Sequence, residues 1–556
     1  MFGYERGNVK MIIILDASWR DEIVKFLKDE ERDNFRDRYS YGTGKGKLKI
    51  DIADWSEESI DALRKFLVSK AETDRSAHMS LTNVEKFQKI KIDPNGTTVS
   101  KLEHLKAPMT LYIGASEHRY LFEQTKDGNM VPWFVGSMEY YETNKRSGSP
   151  ASFKITLVSV NSPGQYKNDF GEDTIRLDSS DIYHKTMSQI LAAKGYFLET
   201  PALMSQYKKE IDTYLSHCDE DGFQMSVSGQ CQVLDGSWSD GSWKAVEQSG
   251  RPAKMVIDKT TKERGITSYH SAFWDADEEV LWKIPIHPVF TMFDLGEHVR
   301  FRVHVNNAFP YVYDDTVDGK LVLPADVKDF LTVLIEHSKN RFKDIIGGKE
   351  GGTIVLIEGY PGIGKTLSAE VFSEKMHRPL YKVQSAQLGV TPEKVESNLK
   401  EVLARSERWG AILLIDEADV YVRARGDDIN QNAIVGVFLR VLEYYRGVLF
   451  MTTNLGNKVD DAIVSRTTAR FEFGMPEIED QKRIWRILSD QNDAGLTDSD
   501  ISKIVKTMPE LSGRDIKNLL KLAVIYSAST GEKINPNAIK FVSRFKQSGK
   551  AKVVED

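Results

Sequence analysis

The feature that most constrains this chain is an octapeptide, Gly359-Tyr360-Pro361-Gly362-Ile363-Gly364-Lys365-Thr366, set directly behind the apolar run Thr353-Ile354-Val355-Leu356-Ile357. It meets the pattern G-x-x-x-x-G-K-[ST] at every fixed position. The order of residue types predicts a buried strand, a tight glycine turn and a helix starting near Lys365. Glycines let successive backbone N–H groups curl around a β-phosphate that a Cβ would obstruct. Lys365 has the reach to contact β- and γ-phosphates, and the Thr366 hydroxyl is a hard ligand for Mg²⁺. The helix N-terminus adds partial positive charge. Gly359 to Thr366, with the following Leu367, are therefore the candidate nucleotide-binding residues.

A second run, Ala411-Ile412-Leu413-Leu414-Ile415-Asp416-Glu417-Ala418-Asp419, is apolar until it ends in carboxylates. Such a run reads as a strand buried on both faces of a parallel sheet, and its C-terminal end emerges at a ligand crevice. Asp416 is placed to hold Mg²⁺ and Glu417 to orient and polarise an attacking water. A third apolar run, Val448-Leu449-Phe450-Met451-Thr452-Thr453-Asn454, is expected between these two strands. Asn454 could then hydrogen-bond a γ-phosphate or the water. Next, Asp460-Asp461-Ala462-Ile463-Val464-Ser465-Arg466 precedes Thr467-Thr468-Ala469-Arg470-Phe471. An arginine here can stabilise transition-state charge in a neighbouring subunit. A solvated pair of surface arginines is the equal alternative.

Taken together, these residues resemble the AAA family of ATPases, within the AAA+ superfamily, in a less-studied branch with a long uncharacterised N-terminal region. The likeness covers residues 325–545 and rests on Ile354 to Thr366, Leu413 to Val420, Asn432 to Tyr445, Gly447 to Asn454 and Ala462 to Arg466. It implies a P-loop doubly wound parallel α/β sheet followed by a C-terminal helical lid, ring hexamers, and ATP with Mg²⁺ at each subunit interface. By resemblance Asn454 matches the first sensor and Arg466 best matches the arginine finger. Arg470 is a second candidate, although the four-residue separation departs from the usual R-P-G-R arrangement. Leu511-Ser512-Gly513-Arg514 resembles the second-sensor segment, which brings Arg514 to the γ-phosphate of its own subunit. Ile345 falls where an adenine-contacting segment is expected. The segment Ser385 to Thr391, where unfoldases carry an aromatic-hydrophobic-Gly triplet that grips polypeptide, has no aromatic.

At 556 residues the chain is too long for one core. Its organisation reads as an N-terminal α+β region over 1–165, a β-rich accessory domain over 166–325, the large ATPase subdomain over 326–475, the lid over 476–547 and a disordered tail over 548–556. In the first region Ser56 opens a helix, while Met109 to Ile113 and Phe153 to Val158 read as strands. In the second, Phe223 to Val233, Ala253 to Ile257, Val299 to Val305 and Pro310 to Tyr313 read as strands. Trp274, Trp282, His287 and His304 read as packed side chains. A helix from Ala325 to about Lys343 is expected to bury Phe330, Leu331, Val333, Leu334 and Ile335.

Net charge of −7 and a pI near 6.0 imply no bulk attraction to nucleic acid or anionic membrane. Two cysteines, Cys218 and Cys231, are too few for a disulfide framework or a cysteine-rich metal site. No run approaches a membrane span, so a cytoplasmic location is expected. The resulting expectation is Mg²⁺-dependent ATP hydrolysis by a homo-hexamer that remodels a protein or complex held by its N-terminal region. The alternatives are an ATP-gated assembly or scaffold and, less favoured by the acidic balance, a nucleic-acid motor.

Overall fold

The computed structural model describes residues 12–28, 47–52, 55–72, 74–143, 148–160, 170–234, 242–247, 250–259, 283–336 and 352–545. Ile345, Trp274, Trp282 and the tail 548–556 lie outside them. The chain divides into two compact units, one of residues 1–216, 261–290 and 304–306, the other of 217–260, 291–303 and 307–556.

In the first unit an antiparallel pair, Ile12–Asp16 with Lys47–Asp51, shares a core with the helices Glu57–Ala71 and Arg75–Ile92. Ser56 caps the first helix by accepting the Ser59 N–H. A five-stranded antiparallel sheet follows. The long strands Met130–Tyr141 and Ser152–Val160 pair, and the second of them pairs in turn with Phe170–Leu177. This hairpin crosses residue 165, so the boundary expected there falls inside one sheet. Met109 to Ile113 is not a strand but part of the helix Lys106–Gly114. Leu105, Met109 and Ile113 are all buried, and their spacing of four puts them on one helical face, a period that a five-residue apolar window disguises.

The second unit opens with a seven-stranded antiparallel sheet. The run Phe223 to Val233 is two strands, Gln224–Val227 and Gln230–Val233, broken at Gly229, whose φ is +86°. Ala253–Ile257 pairs with the first of them and Arg300–His304 with the second. Only Pro310 of the Pro310 to Tyr313 run belongs to a strand, Ala308–Pro310. Tyr311 and Tyr313 pack edge to face beyond it. The helix Ala325–Glu336 buries Leu331 and Ile335, whereas Phe330 and Val333 are exposed. The buried pair lies four apart on one face, while Phe330 and Val333, three apart, project from the other side of the helix.

The parallel sheet has five strands, β1 (Thr353–Gly359), β2 (Leu380–Gln384), β3 (Ile412–Asp416), β4 (Val448–Thr453) and β5 (Ala469–Phe473), in the order β2-β3-β4-β1-β5. The central β1, β3 and β4 are almost wholly buried, as their unbroken apolar runs require, and helices cover them. Ser385 to Leu388 forms a short helix after β2. Residues 478–543 form four helices around the fully buried Trp485.

The seven-stranded sheet and the parallel sheet share a core. Phe293 packs against Trp409 and Tyr381 at ring separations of 5.1 and 5.7 Å, and the Arg405 guanidinium lies over Phe293. Arg408, at the end of the helix Pro392–Arg408, bridges Asp221 at 2.8 Å and the buried Asp258 at 2.6 Å. Gly222, with φ +82°, lies so close to Trp409 that a Cβ would fall on the Trp409 backbone. Gly222→Ala therefore combines a strained φ with a backbone clash, and should cost about 2 kcal/mol or more in chemical denaturation. An unchanged midpoint would mean that this packing does not hold the two sheets.

Candidate functional site

The chemistry gathers at the C-terminal edge of the parallel sheet. There β1 hands the chain to the glycine turn and then to the helix Lys365–Lys375. Gly359, Gly362 and Gly364 all have positive φ, so the turn depends on residues without a Cβ. The Lys365 ammonium donates to Gly359 O at 2.7 Å, Tyr360 O at 2.8 Å and Asn454 Oδ1 at 2.8 Å. Burial pulls its pKa below the ordinary lysine value, against the opposing pull of Asp419 and Asp416.

Strand order explains the meeting of the three motifs. β4 lies between β3 and β1, so residues that follow all three strands emerge side by side. Asp416 Oδ1 accepts from Thr366 Oγ1 at 2.9 Å and from Thr452 Oγ1 at 2.6 Å. Burial pushes the Asp416 carboxyl up, but hydrogen bonds from Thr452, Lys382 and Thr366 outweigh it and hold the pKa below the usual value. Glu417 has φ +54°, and its N–H donates to Thr452 Oγ1 at 3.1 Å. Asp419 accepts from Thr453 Oγ1 at 2.6 Å and from the Asn454 N–H at 3.0 Å, which fixes the backbone of Asn454.

Pro361 to Leu367, Asp416, Glu417 and Asn454 line one open cleft of about 1950 Å³. Arg514 lines it too, because the lid helix Gly513–Thr530 begins against the glycine turn. The Arg514 N–H donates to Gly362 O at 3.0 Å, and a Cβ on Gly362 would meet Arg514 Cβ. The hydroxyl of Thr366 beside the carboxylate of Asp416 is a set of hard oxygen donors suited to Mg²⁺.

The two candidate arginines part company. Arg470 lies on β5 opposite Leu356 of β1 and pairs with Glu358 of its own chain at 2.7 and 2.9 Å. Glu358 is only 1% exposed, so Arg470 compensates a buried charge. Arg466 is exposed, is not among the residues that line the cleft, and donates from its guanidinium to Ala462 O of the short helix Asp461–Val464 that precedes it.

Sequence reasoning missed Thr452, Asp419 and Lys382. The Thr-Thr pair closing an otherwise apolar strand, the third acid after Asp416, and a lone lysine in the alternating run Leu380-Tyr381-Lys382-Val383 were the available signals.

Residues 355–475 match the family described as ATPase family associated with various cellular activities (AAA). The chain carries an AAA ATPase domain. It is 24% identical over 252 residues to the ATP-dependent zinc metalloprotease FtsH of Mesomycoplasma conjunctivae, covering 42% of this chain and 32% of that protein. It is 30% identical over 183 residues to a putative 26S proteasome regulatory subunit homolog of Methanothermobacter thermautotrophicus, covering 31% of this chain and 48% of that protein. The chain thus spans between a third and a half of the length of these relatives. A solved chain of the E. coli MS115-1 HORMA:CdnC:Trip13 complex aligns with a TM-score of 0.36 at 18% identity, over 44% of this chain and 95% of that one. Among the described residues, no helix is long and apolar enough to cross a membrane.

Removing Arg470 strands the Glu358 carboxylate. Arg470→Ala should lower stability by about 2 kcal/mol in urea denaturation, and adding Glu358→Gln should restore at least half. Equal stability of all three proteins would show that the pair contributes nothing.

Proposed function

We propose that the chain is a Mg²⁺-dependent ATPase that assembles into a ring, with ATP bound in the cleft of one subunit and completed by Arg466 of the next. The observation that carries this reading is the convergence of Lys365, Thr366, Asp416, Glu417 and Asn454 on one cleft, while Arg466 stands exposed outside it. Lys365 compensates charge on the β- and γ-phosphate oxygens. Asn454 and Arg514 hold the γ-phosphate, and Glu417 orients the water in line with the bond to be broken. Thr366 and Asp416 would hold Mg²⁺, which would supply Lewis-acid neutralisation of phosphate charge. Water displaces ADP from the γ-phosphorus, giving ADP and inorganic phosphate, and Arg466 of the neighbouring subunit stabilises the charge that develops.

The target of the work is a protein or complex held by residues 1–325. Relatives whose names describe an ATP-dependent protease and a proteasome regulatory subunit homolog support a protein target. The segment Ser385 to Thr391 carries no aromatic, and its short helix Ser385–Leu388 buries Leu388 while Val390 is exposed, so the reading does not extend to a threading mechanism.

The decisive experiment is Glu417→Gln in the full chain. Turnover should fall by at least about 10²-fold, while ATP still binds and native mass spectrometry detects a ring. Arg466→Ala should lower turnover comparably with nucleotide affinity intact, and Arg470→Ala should not. A strictly monomeric protein in saturating MgATP, with turnover indifferent to Arg466, would overturn the shared-site reading. Retention of the partner-directed function by Glu417→Gln would favour an ATP-gated scaffold instead.

A further inference from the structure

Lys382 lies at the middle of β2, the edge strand of the parallel sheet, in register with Leu414 of β3. Gln384, two residues on, is the register partner of Asp416. The lysine side chain spans that diagonal, and its ammonium meets Asp416 Oδ2 at 3.0 Å. The two oxygens of Asp416 are thereby divided. Oδ1 takes the hydroxyls of Thr366 and Thr452, and Oδ2 takes a full positive charge. Lys365 does not perform this task, since its three bonds go to neutral oxygens of Gly359, Tyr360 and Asn454. Both partners are partly withdrawn from solvent, Lys382 at 35% and Asp416 at 17% side-chain exposure, so screening between them is incomplete.

We propose that Lys382 is an internal counter-cation for Asp416, and that it sets how strongly nucleotide binding depends on Mg²⁺. The inference rests on the reading of the cleft as a Mg²⁺–nucleotide site. A divalent ion held at Thr366 and Asp416 must share the carboxylate with an ammonium already on it, and like charges at that range oppose each other. With the metal absent, the same ammonium keeps Asp416 from repelling the phosphates. Lys382 thus weakens the metal-bound state and supports the metal-free one, and both effects narrow the difference between them. It is a positioning residue, acting on the carboxylate and not on the reacting atoms.

The test compares the dissociation constant of a fluorescent ATP analogue in excess Mg²⁺ with that in EDTA, for the full chain. The ratio of the two is internal to each protein and does not depend on the fraction folded. Lys382→Met should raise the EDTA-to-Mg²⁺ ratio by about tenfold, through weaker binding in EDTA, tighter binding in Mg²⁺, or both. Lys382→Arg, which keeps the charge, should stay within about twofold of the parent. Lys382→Gln serves as the neutral variant should the methionine protein not fold. An unchanged ratio in the neutral variant, or an equal shift in Lys382→Arg, would overturn the proposal. Failure of the parent protein to bind nucleotide in either buffer would instead overturn the reading of the cleft.

Discussion

A buried ammonium with no carboxylate of its own holds the site together. Lys365 is 8% exposed, and three neutral oxygens receive its protons. Neutral acceptors satisfy the donors of a buried cation, so its charge is offset only through space, by Asp419 and Asp416, and not by a bonded carboxylate. Such a charge suits a polyanionic ligand far better than one already consumed in an ion pair. The arrangement needs Gly359 and Tyr360 at the end of β1 and Asn454 at the end of β4, so it depends on the parallel pairing of those strands. Order in the sheet and charge in the cleft are therefore one constraint.

The same logic extends to the far end of the helix that Lys365 begins. Glu374, in its last turn, accepts from Lys254 at 2.9 Å, from the Tyr311 hydroxyl at 2.7 Å and from the Asp314 N–H at 3.1 Å. Burial works to raise the Glu374 pKa, but these bonds outweigh it and keep the carboxyl below its usual value. Lys254 belongs to a strand of the seven-stranded sheet. That sheet is fixed a second time through Arg408, Phe293 and Gly222. The helix that begins at Lys365 is thus tied to this sheet at its far end. The accessory strands share a core with the parallel sheet and belong to the same compact unit.

How much of this could be read from the chain followed the range of the interactions. The glycine turn, Lys365 with Thr366, and Asp416 with Glu417 are local patterns in which each residue type has a reason at its own position. Their meeting was also legible, because three unbroken apolar runs imply buried parallel strands ending at a common edge. The different surroundings of Arg466 and Arg470 were not, because they depend on Arg470 standing beside β1 and meeting Glu358, 112 positions earlier. Lys382 was hidden for the same reason. Met109 to Ile113 failed differently, since a five-residue run cannot distinguish a period of two from one of four until Leu105 is included. The boundary at 165 rested on a change in composition, whereas the strands Ser152–Val160 and Phe170–Leu177 on either side of it pair with each other.

Thr452 shows why the acidic turn has the shape it does. Its hydroxyl donates to Asp416 Oδ1 and accepts the Glu417 N–H, while its carbonyl accepts the Ala418 N–H. Had β3 continued as a strand, Asp416 and Glu417 would point to opposite faces of the sheet. The left-handed conformation at Glu417 ends the strand instead, at a cost of about 1 kcal/mol for a residue with a Cβ. The two backbone bonds to Thr452 offset that cost, and the same turn lets Asp419 reach Thr453 and Asn454. One hydroxyl on the central strand therefore positions Asp416, Glu417 and, through the turn, the Asn454 amide that contacts Lys365. Strain at Glu417 is a consequence of bringing two adjacent carboxylates to one cleft, and the buried strand beside them supplies what keeps it in place.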